Sequence, residues 1–127
     1  MGRATLRYLV DSVILIDHFN GIDQATEFIA GHFPDLTLSV ITRAEVLTGF
    51  DQETRAMVAN LLDRFPNLLV DEAVADLAAG LRREVGWKLP DALQAAMARC
   101  HGLSLATRDT RDFPPDRYDF VTVPYEI

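Results

Sequence analysis

Five short runs rich in strand-forming residues are spaced along the chain, at 6–10, 36–40, 68–70, 103–106 and 120–123. Between them, apolar residues recur at helical spacing over 22–31, 51–65, 72–85 and 91–101. Within 51–65, Val58, Leu61, Leu62 and Phe65 share one face, and within 72–85 so do Val74, Leu77, Ala78, Leu81 and Val85. Strands that alternate with helices call for right-handed crossovers and a mainly parallel sheet covered on both faces. The expected fold is therefore a doubly wound α/β domain.

Boundary chemistry agrees with these elements. Asp51 is placed to cap the helix leading to Phe65, and Pro66 to stop it. Pro90 suits the first turn of the helix that carries Asp91, and Gly102 follows its end. Asp71, at the end of the third strand, reads as a helix cap.

A length of 127 residues with 49% hydrophobic content fills one core and leaves no room for a second, so residues 1–127 are expected to form a single domain. The apolar runs are too short to cross a bilayer. Residues 1–10 lack the apolar centre of a secretory signal, and Cys100 is the only cysteine, which suits a reducing cytoplasm and excludes an internal disulfide. Lying in an Ala-rich helical stretch, Cys100 is expected to be a small buried hydrophobe. A net charge of −7 argues against nucleic acid on balance alone. Carboxylates gathered around a divalent cation, however, would invert the local charge.

In parallel α/β sheets ligands bind beyond the carboxyl ends of the strands. Asp11 directly follows the first strand, Glu45 lies one helical turn past the second, and Asp109 and Asp112 sit just past the fourth. Asp91 begins the helix leading into that fourth strand, so no strand end places it. Oxygen donors without His or Cys suit Mg²⁺ or Mn²⁺ and not zinc, and His18, His32 and His101 fall outside the set. Such an ion supports phosphodiester hydrolysis with water as nucleophile. Each acid also has a plainer reading: Asp11 as the cap of residues 12–19, Glu45 as a solvated helical residue, Asp91 as a first-turn acid, and Asp109 or Asp112 as a turn former.

The segments YLVDSVILIDHF (8–19), SVITRAEVLTGF (39–50), PDALQAAMA (90–98) and LATRDTRDF (105–113) resemble, in order and over nearly the whole chain, the four motifs of VapC-type PIN domains. The resemblance implies a PIN-like fold and a Mg²⁺ site in which Mn²⁺ can substitute. It also implies a cytoplasmic endoribonuclease that leaves 5′-phosphate and 3′-hydroxyl ends. Metal-site and catalytic roles fall on Asp11, Glu45 and Asp91, with Asp109 and Asp112 sharing the fourth motif. It further implies a homodimer, and an antitoxin partner whose C-terminal arm covers the groove. The first motif commonly reads Asp-Thr-Asn but here is Asp11-Ser12-Val13, which keeps a hydroxyl and loses an amide.

Ser12, Thr42 and Thr107 are candidates for orienting the carboxylates. Asp17 reads as a solvated or capping residue and Trp87 as a partly buried anchor. Arg43, Arg82, Arg83, Lys88, Arg108 and Arg111 flank the acidic motifs and are candidates for guiding an RNA backbone. Two alternatives stand beside the nuclease. One is a phosphoacceptor receiver domain, with Asp71 as acceptor and Thr107 as switch hydroxyl; the other is a catalytically silent PIN-like binding module. Repulsion among gathered carboxylates further suggests that Asp11→Asn relieves strain in the metal-free protein.

Overall fold

The computed structural model describes residues 6–127, so the first half of the segment read for a secretory signal lies outside the described residues. Five parallel strands, β1 (Tyr8–Val10), β2 (Leu36–Ser39), β3 (Asn67–Leu68), β4 (Ser104–Ala106) and β5 (Val121–Thr122), form one sheet in the order β3-β2-β1-β4-β5. The β1 register sets Tyr8 against Leu36 on one side and against Ser104 on the other. Among the described residues six α-helices flank the sheet: α1 (Ser12–Phe19), α2 (Asp23–His32), α3 (Val40–Thr48), α4 (Gln52–Leu62), α5 (Glu72–Val85) and α6 (Leu89–His101).

Side chains alternate across a strand, and here the alternation divides the core in two. Leu9 and Leu105 join the cluster under α5 and α6, whereas Val10 and Ala106 join the cluster under α1 to α4. Ala92, Ala95, Ala96 and Ala98 are all buried along α6, whose small side chains let it lie close to α5 and the sheet.

The expected doubly wound sheet is present, with two helices beyond the four anticipated. Both begin where a strand ends on a capping side chain: the Asp11 carboxylate accepts from the Ser12 amide, and the Ser39 hydroxyl from the Thr42 amide. These caps convert β-branched sequence, SVILI and VIT, into helix despite its strand propensity. Val40 therefore opens α3 instead of closing β2. Asp51 and Asp71 cap α4 and α5 as expected, and Gly102 ends α6 at φ +64°, a left-handed conformation that favours glycine.

The strand order excludes the receiver alternative. Such domains run 2-1-3-4-5, whereas here the chain reverses around β1 and β4. Asp71, the supposed acceptor, gives its carboxylate to the Val74 amide at 2.9 Å as a helix cap. Cys100 also departs from expectation. It is exposed, because the buried face of α6 ends at Ala98 and the last turn emerges into solvent. Among the described residues no helix is long and apolar enough to cross a membrane.

Candidate active site

The switch point between β1 and β4 is where parallel sheets open a crevice at their carboxyl edge. A cavity of about 470 Å³ lies there, lined by Asp11, Glu45, Asp91 and Asp109, together with Ser12 and Arg108. Asp11 ends β1, Glu45 projects from α3, and Asp109 follows β4. Asp91 arrives by another route. A crossover helix runs antiparallel to the strands it joins, so the N-terminus of α6 returns to the carboxyl edge and Asp91, in its first turn, stands beside the strand ends. Asp112 lies just outside: it lines an adjoining cavity and is exposed.

Asp11 is only 7% exposed and is held by three donors. The Ser12 amide and the Gln94 side-chain amide donate to Oδ1 at 2.9 and 3.3 Å, and the Thr107 hydroxyl donates to Oδ2 at 2.8 Å. Thr107 also accepts from the Asp109 amide at 3.0 Å, which ties the fourth motif to the first. Gln94 is 1% exposed and draws in the second motif. It donates to Thr42 Oγ1 at 2.6 Å and accepts from Ser39 Oγ at 2.6 Å. Thr107 thus touches the Asp11 carboxylate and Thr42 reaches it only through Gln94, a residue that was missed. Its signal was a lone amide among the buried alanines of LQAAMA, since a fully buried Gln needs partners.

Burial pushes the Asp11 carboxyl up, opposed by the hydrogen bonds from Thr107, Gln94 and Ser12 and reinforced by the Asp109 charge. Glu45 is raised by partial burial, with the Ser12 hydroxyl opposing and the Asp11 charge adding. Asp91 is raised to about 6, first by burial and then by the charges of Asp112, Asp11, Asp109 and Glu45. All four other acids act on this one carboxyl, so the five form one electrostatic cluster. Asp112 is raised by desolvation and by Asp109, whose carboxylate accepts from the Asp112 amide at 3.2 Å.

Beside the cavity, Asp17 is 5% exposed and not solvated as expected. Arg108 grips it with Nε and Nη2 at 2.7 and 2.8 Å, and the Tyr125 hydroxyl donates to it at 2.7 Å. The Arg108 hydrogen bonds outweigh burial and hold the Asp17 carboxyl below its ordinary range. Arg108 thus lines the cavity with its charge already paired. Arg43 lies elsewhere, donating to Asp63 and Asn67 at 2.8 and 3.2 Å, and Arg82 donates to the Trp87 carbonyl at 2.6 Å. Arg111 borders the cavity, while Lys88 lines its neighbour. Trp87 is an anchor, 6% exposed, its indole N–H donating to the Asp112 carbonyl at 2.8 Å.

A parallel α/β sheet with an acidic pocket at its switch point defines the class of protein. The PIN domain model matches residues 8–120, and the chain belongs to that family. Among solved structures, a chain of a toxin–antitoxin complex from Klebsiella pneumoniae is similar at 35% identity and a TM-score of 0.85, over 94% of this chain and 99% of that one. FitAcB from Neisseria gonorrhoeae is similar in fold at 24% identity and a TM-score of 0.78, over 94% of this chain and 99% of that one. DNA-bound VapBC from Salmonella typhimurium gives 22% and 0.74, over 85% of this chain and 90% of that one. No protein of curated function matches the sequence.

Proposed function

We propose that the chain is a Mg²⁺- or Mn²⁺-dependent endoribonuclease and the toxin of a cytoplasmic VapBC-type pair. The observation that carries this reading is the meeting of Asp11, Glu45, Asp91 and Asp109 on one cavity, with Asp91 raised to about 6 by its acidic neighbours. Like charges kept together, with proton affinity raised by their repulsion, suit a cationic ligand.

The donor set fits a hard cation. Among the described residues no three His, Cys, Asp or Glu side chains are gathered closely enough to enclose an ion unaided. Magnesium does not require such a cage, because it keeps several waters and is commonly held by one or two carboxylates. Asp11, Glu45, Asp91 and Asp109 would hold it, with Asp112 adding charge from outside. When bound, the ion would supply Lewis-acid polarisation of a phosphoryl oxygen and a more acidic water.

The chain's own residues prepare this chemistry. Ser12, Gln94 and Thr107 fix both Asp11 oxygens as acceptors, so this carboxylate presents charge without reorganising. Asp91, raised to about 6 by burial and its acidic neighbours in the metal-free protein, is the carboxyl whose charge a bound cation would relieve most, which suits it to hold the ion. With water as the nucleophile and the 3′ oxygen as the leaving group, as the family resemblance implies, the products carry a 5′-phosphate and a 3′-hydroxyl. The Klebsiella relative comes from a toxin–antitoxin complex, which supports an antitoxin as protein partner here; the homodimer belongs to the same reading.

The test is cleavage of a labelled RNA by purified protein in Mg²⁺ or Mn²⁺, in EDTA, and by Asp91→Asn. Cleavage should vanish in EDTA and fall at least about 100-fold in the variant. Wild-type turnover by a folded Asp91→Asn would remove Asp91 from the reaction, and metal-independent cleavage would overturn the proposal.

A further inference from the structure

A second cavity, of about 330 Å³, adjoins the carboxylate pocket, and the two share Asp91 and Arg111 as walls. Its character differs. Lys88, Arg111 and Arg117 line it, and among the described residues none of the three is in an ion pair; the ion pairs present are Arg43–Asp63 and Arg108–Asp17. In a chain of net charge −7, three cations outside any ion pair outnumber the two carboxylates, Asp91 and Asp112, on the wall of this cleft, so its balance is cationic beside the acidic site.

The cleft is built on rigid parts. Gly86 ends α5 at φ +89° and turns the chain into Trp87, whose indole bond to the Asp112 carbonyl fastens the α5–α6 connection to the fourth-motif loop. Tyr118 packs on Trp87 with ring centroids 5.2 Å apart, and the Arg117 guanidinium lies 6.0 Å from the Tyr118 ring centroid. Aromatic floor and cationic rim together match a single-stranded nucleotide, with phosphate on the cations and base against the ring. The cavity that shares Glu45 with the carboxylate pocket is walled by Ile16, Phe19, Val46 and Phe50 with Asn20 and carries no cation, so it offers a phosphate no opposite charge.

The geometry points to a nucleotide-binding subsite in the Lys88–Arg111–Arg117 cleft, which takes the RNA nucleotide next to the scissile phosphate and sets the direction of the strand across Asp91. This inference rests on the RNA-cleaving reading above and gives its substrate a path.

Fluorescence anisotropy of a labelled single-stranded oligoribonucleotide, in EDTA across a KCl titration, tests it. The variants are Lys88→Ala/Arg117→Ala, Tyr118→Leu, and Arg43→Ala as a control from the far, paired cation. The double variant should bind about tenfold more weakly at low salt, and its dependence of log Kd on log salt should flatten by about 0.7 for each cation removed. Tyr118→Leu should weaken binding while leaving that slope unchanged. Mn²⁺ affinity should match wild type in the double variant, whose altered residues are exposed.

Binding by the double variant equal to that of wild type and Arg43→Ala would overturn the subsite. So would loss of affinity for an oligoglutamate peptide with RNA binding retained, which would make the cleft a protein-docking surface. The two proposals fail separately. RNA binding that depends on Lys88 and Arg117 without Mn²⁺-dependent cleavage would sink the nuclease, whereas cleavage indifferent to both residues would sink the subsite.

Discussion

The Gln94 side-chain amide donates to Asp11 Oδ1 over 3.3 Å, and its neighbours dictate which way that amide points. Thr42 spends its hydroxyl proton on the Val10 carbonyl at 2.9 Å, so towards Gln94 it can only accept. Ser39 accepts from the Thr42 amide at 3.0 Å, which leaves its own proton for Gln94 Oε1. The bonds then branch at Gln94: one arm ends on the Asp11 carboxylate and the other runs through Thr42 to the Val10 carbonyl. Gln94→Met keeps the volume and removes the donor. Mn²⁺ affinity, measured by calorimetry, should fall at least about tenfold, and stability by about 1–3 kcal/mol from the unpaired buried groups. In an Asp11→Asn background the same substitution should leave Mn²⁺ affinity unchanged. A persistent effect there would show that Gln94 does not act through Asp11.

Among the raised carboxyls of the metal-free site, Asp91 is the one on which all four other acids act. Asp11 was the candidate for relieving strain on sequence grounds, but both its oxygens accept hydrogen bonds, so Asp11→Asn would turn an amide N–H against one of these donors. Asp91 has a folded-state carboxyl near 6 against an ordinary 3.8. The native state therefore holds more protons than the unfolded chain between these values, and stability in EDTA should fall as pH rises through that window and level off above about 6. Asp91→Asn should flatten the decline and melt no lower than wild type above it. Mn²⁺ should raise the melting temperature of wild type above pH 6 and lose that effect below, where protons compete. Thermal melts across pH with EDTA or Mn²⁺ decide this, and an unchanged slope in Asp91→Asn would assign it to other groups.

How much of this was legible in the sequence varies by residue. Asp11 and Asp109 follow strands whose hydrophobic runs are plain, and the topology then brings them together at the switch point. Asp91 could not be placed by strand ends because its helix, and no strand, delivers it. The limits of β3 and β5 differ from those read because each pairs through two residues only; of the apolar residues around them Val70, Phe120 and Val123 pack on the core, while Leu69 is exposed. Asp17, Arg108 and Tyr125 are separated by up to 108 positions, and no periodicity relates them. Arg108 therefore read as a free cation, whereas folding commits it to a buried acid.

That commitment gives a third prediction. Asp17 is buried, while the Arg108 side chain is 32% exposed, so the loss on breaking the pair should fall below that of a fully buried one. Asp17→Asn should cost about 2 kcal/mol in urea denaturation, and Tyr125→Phe about 1 kcal/mol. The Asp17 carboxyl lies below its ordinary value, so its contribution is complete above the unfolded value of 3.8 and is lost as pH falls through the lower folded one. Wild type and Asp17→Asn should therefore converge in stability at strongly acidic pH. A gap that stays constant down to that range would mean that packing, and not charge, accounts for the loss.

The fourth motif offers two acids one helical turn apart, and the structure gives them unequal positions. Asp109 lines the carboxylate cavity, and its backbone is pinned to Thr107, which itself holds Asp11. Asp112 is exposed and faces the adjoining cleft with Lys88 and Arg111, which partly offset its charge. Yet Asp112 is the largest charge acting on Asp91, so it is not inert. Asp109→Asn should weaken Mn²⁺ binding at least about tenfold by removing an oxygen donor from the site. Asp112→Asn should change that affinity by less than about threefold, the scale of a screened charge outside the pocket. Its clearer effect should be a lower Asp91 pKa, read by carboxyl NMR in the metal-free protein, since one of the repelling charges is gone. Equal losses of Mn²⁺ affinity would make the two acids joint ligands. A larger loss in Asp112→Asn would reverse their order and require the α6 N-terminus and the fourth-motif loop to close around the ion.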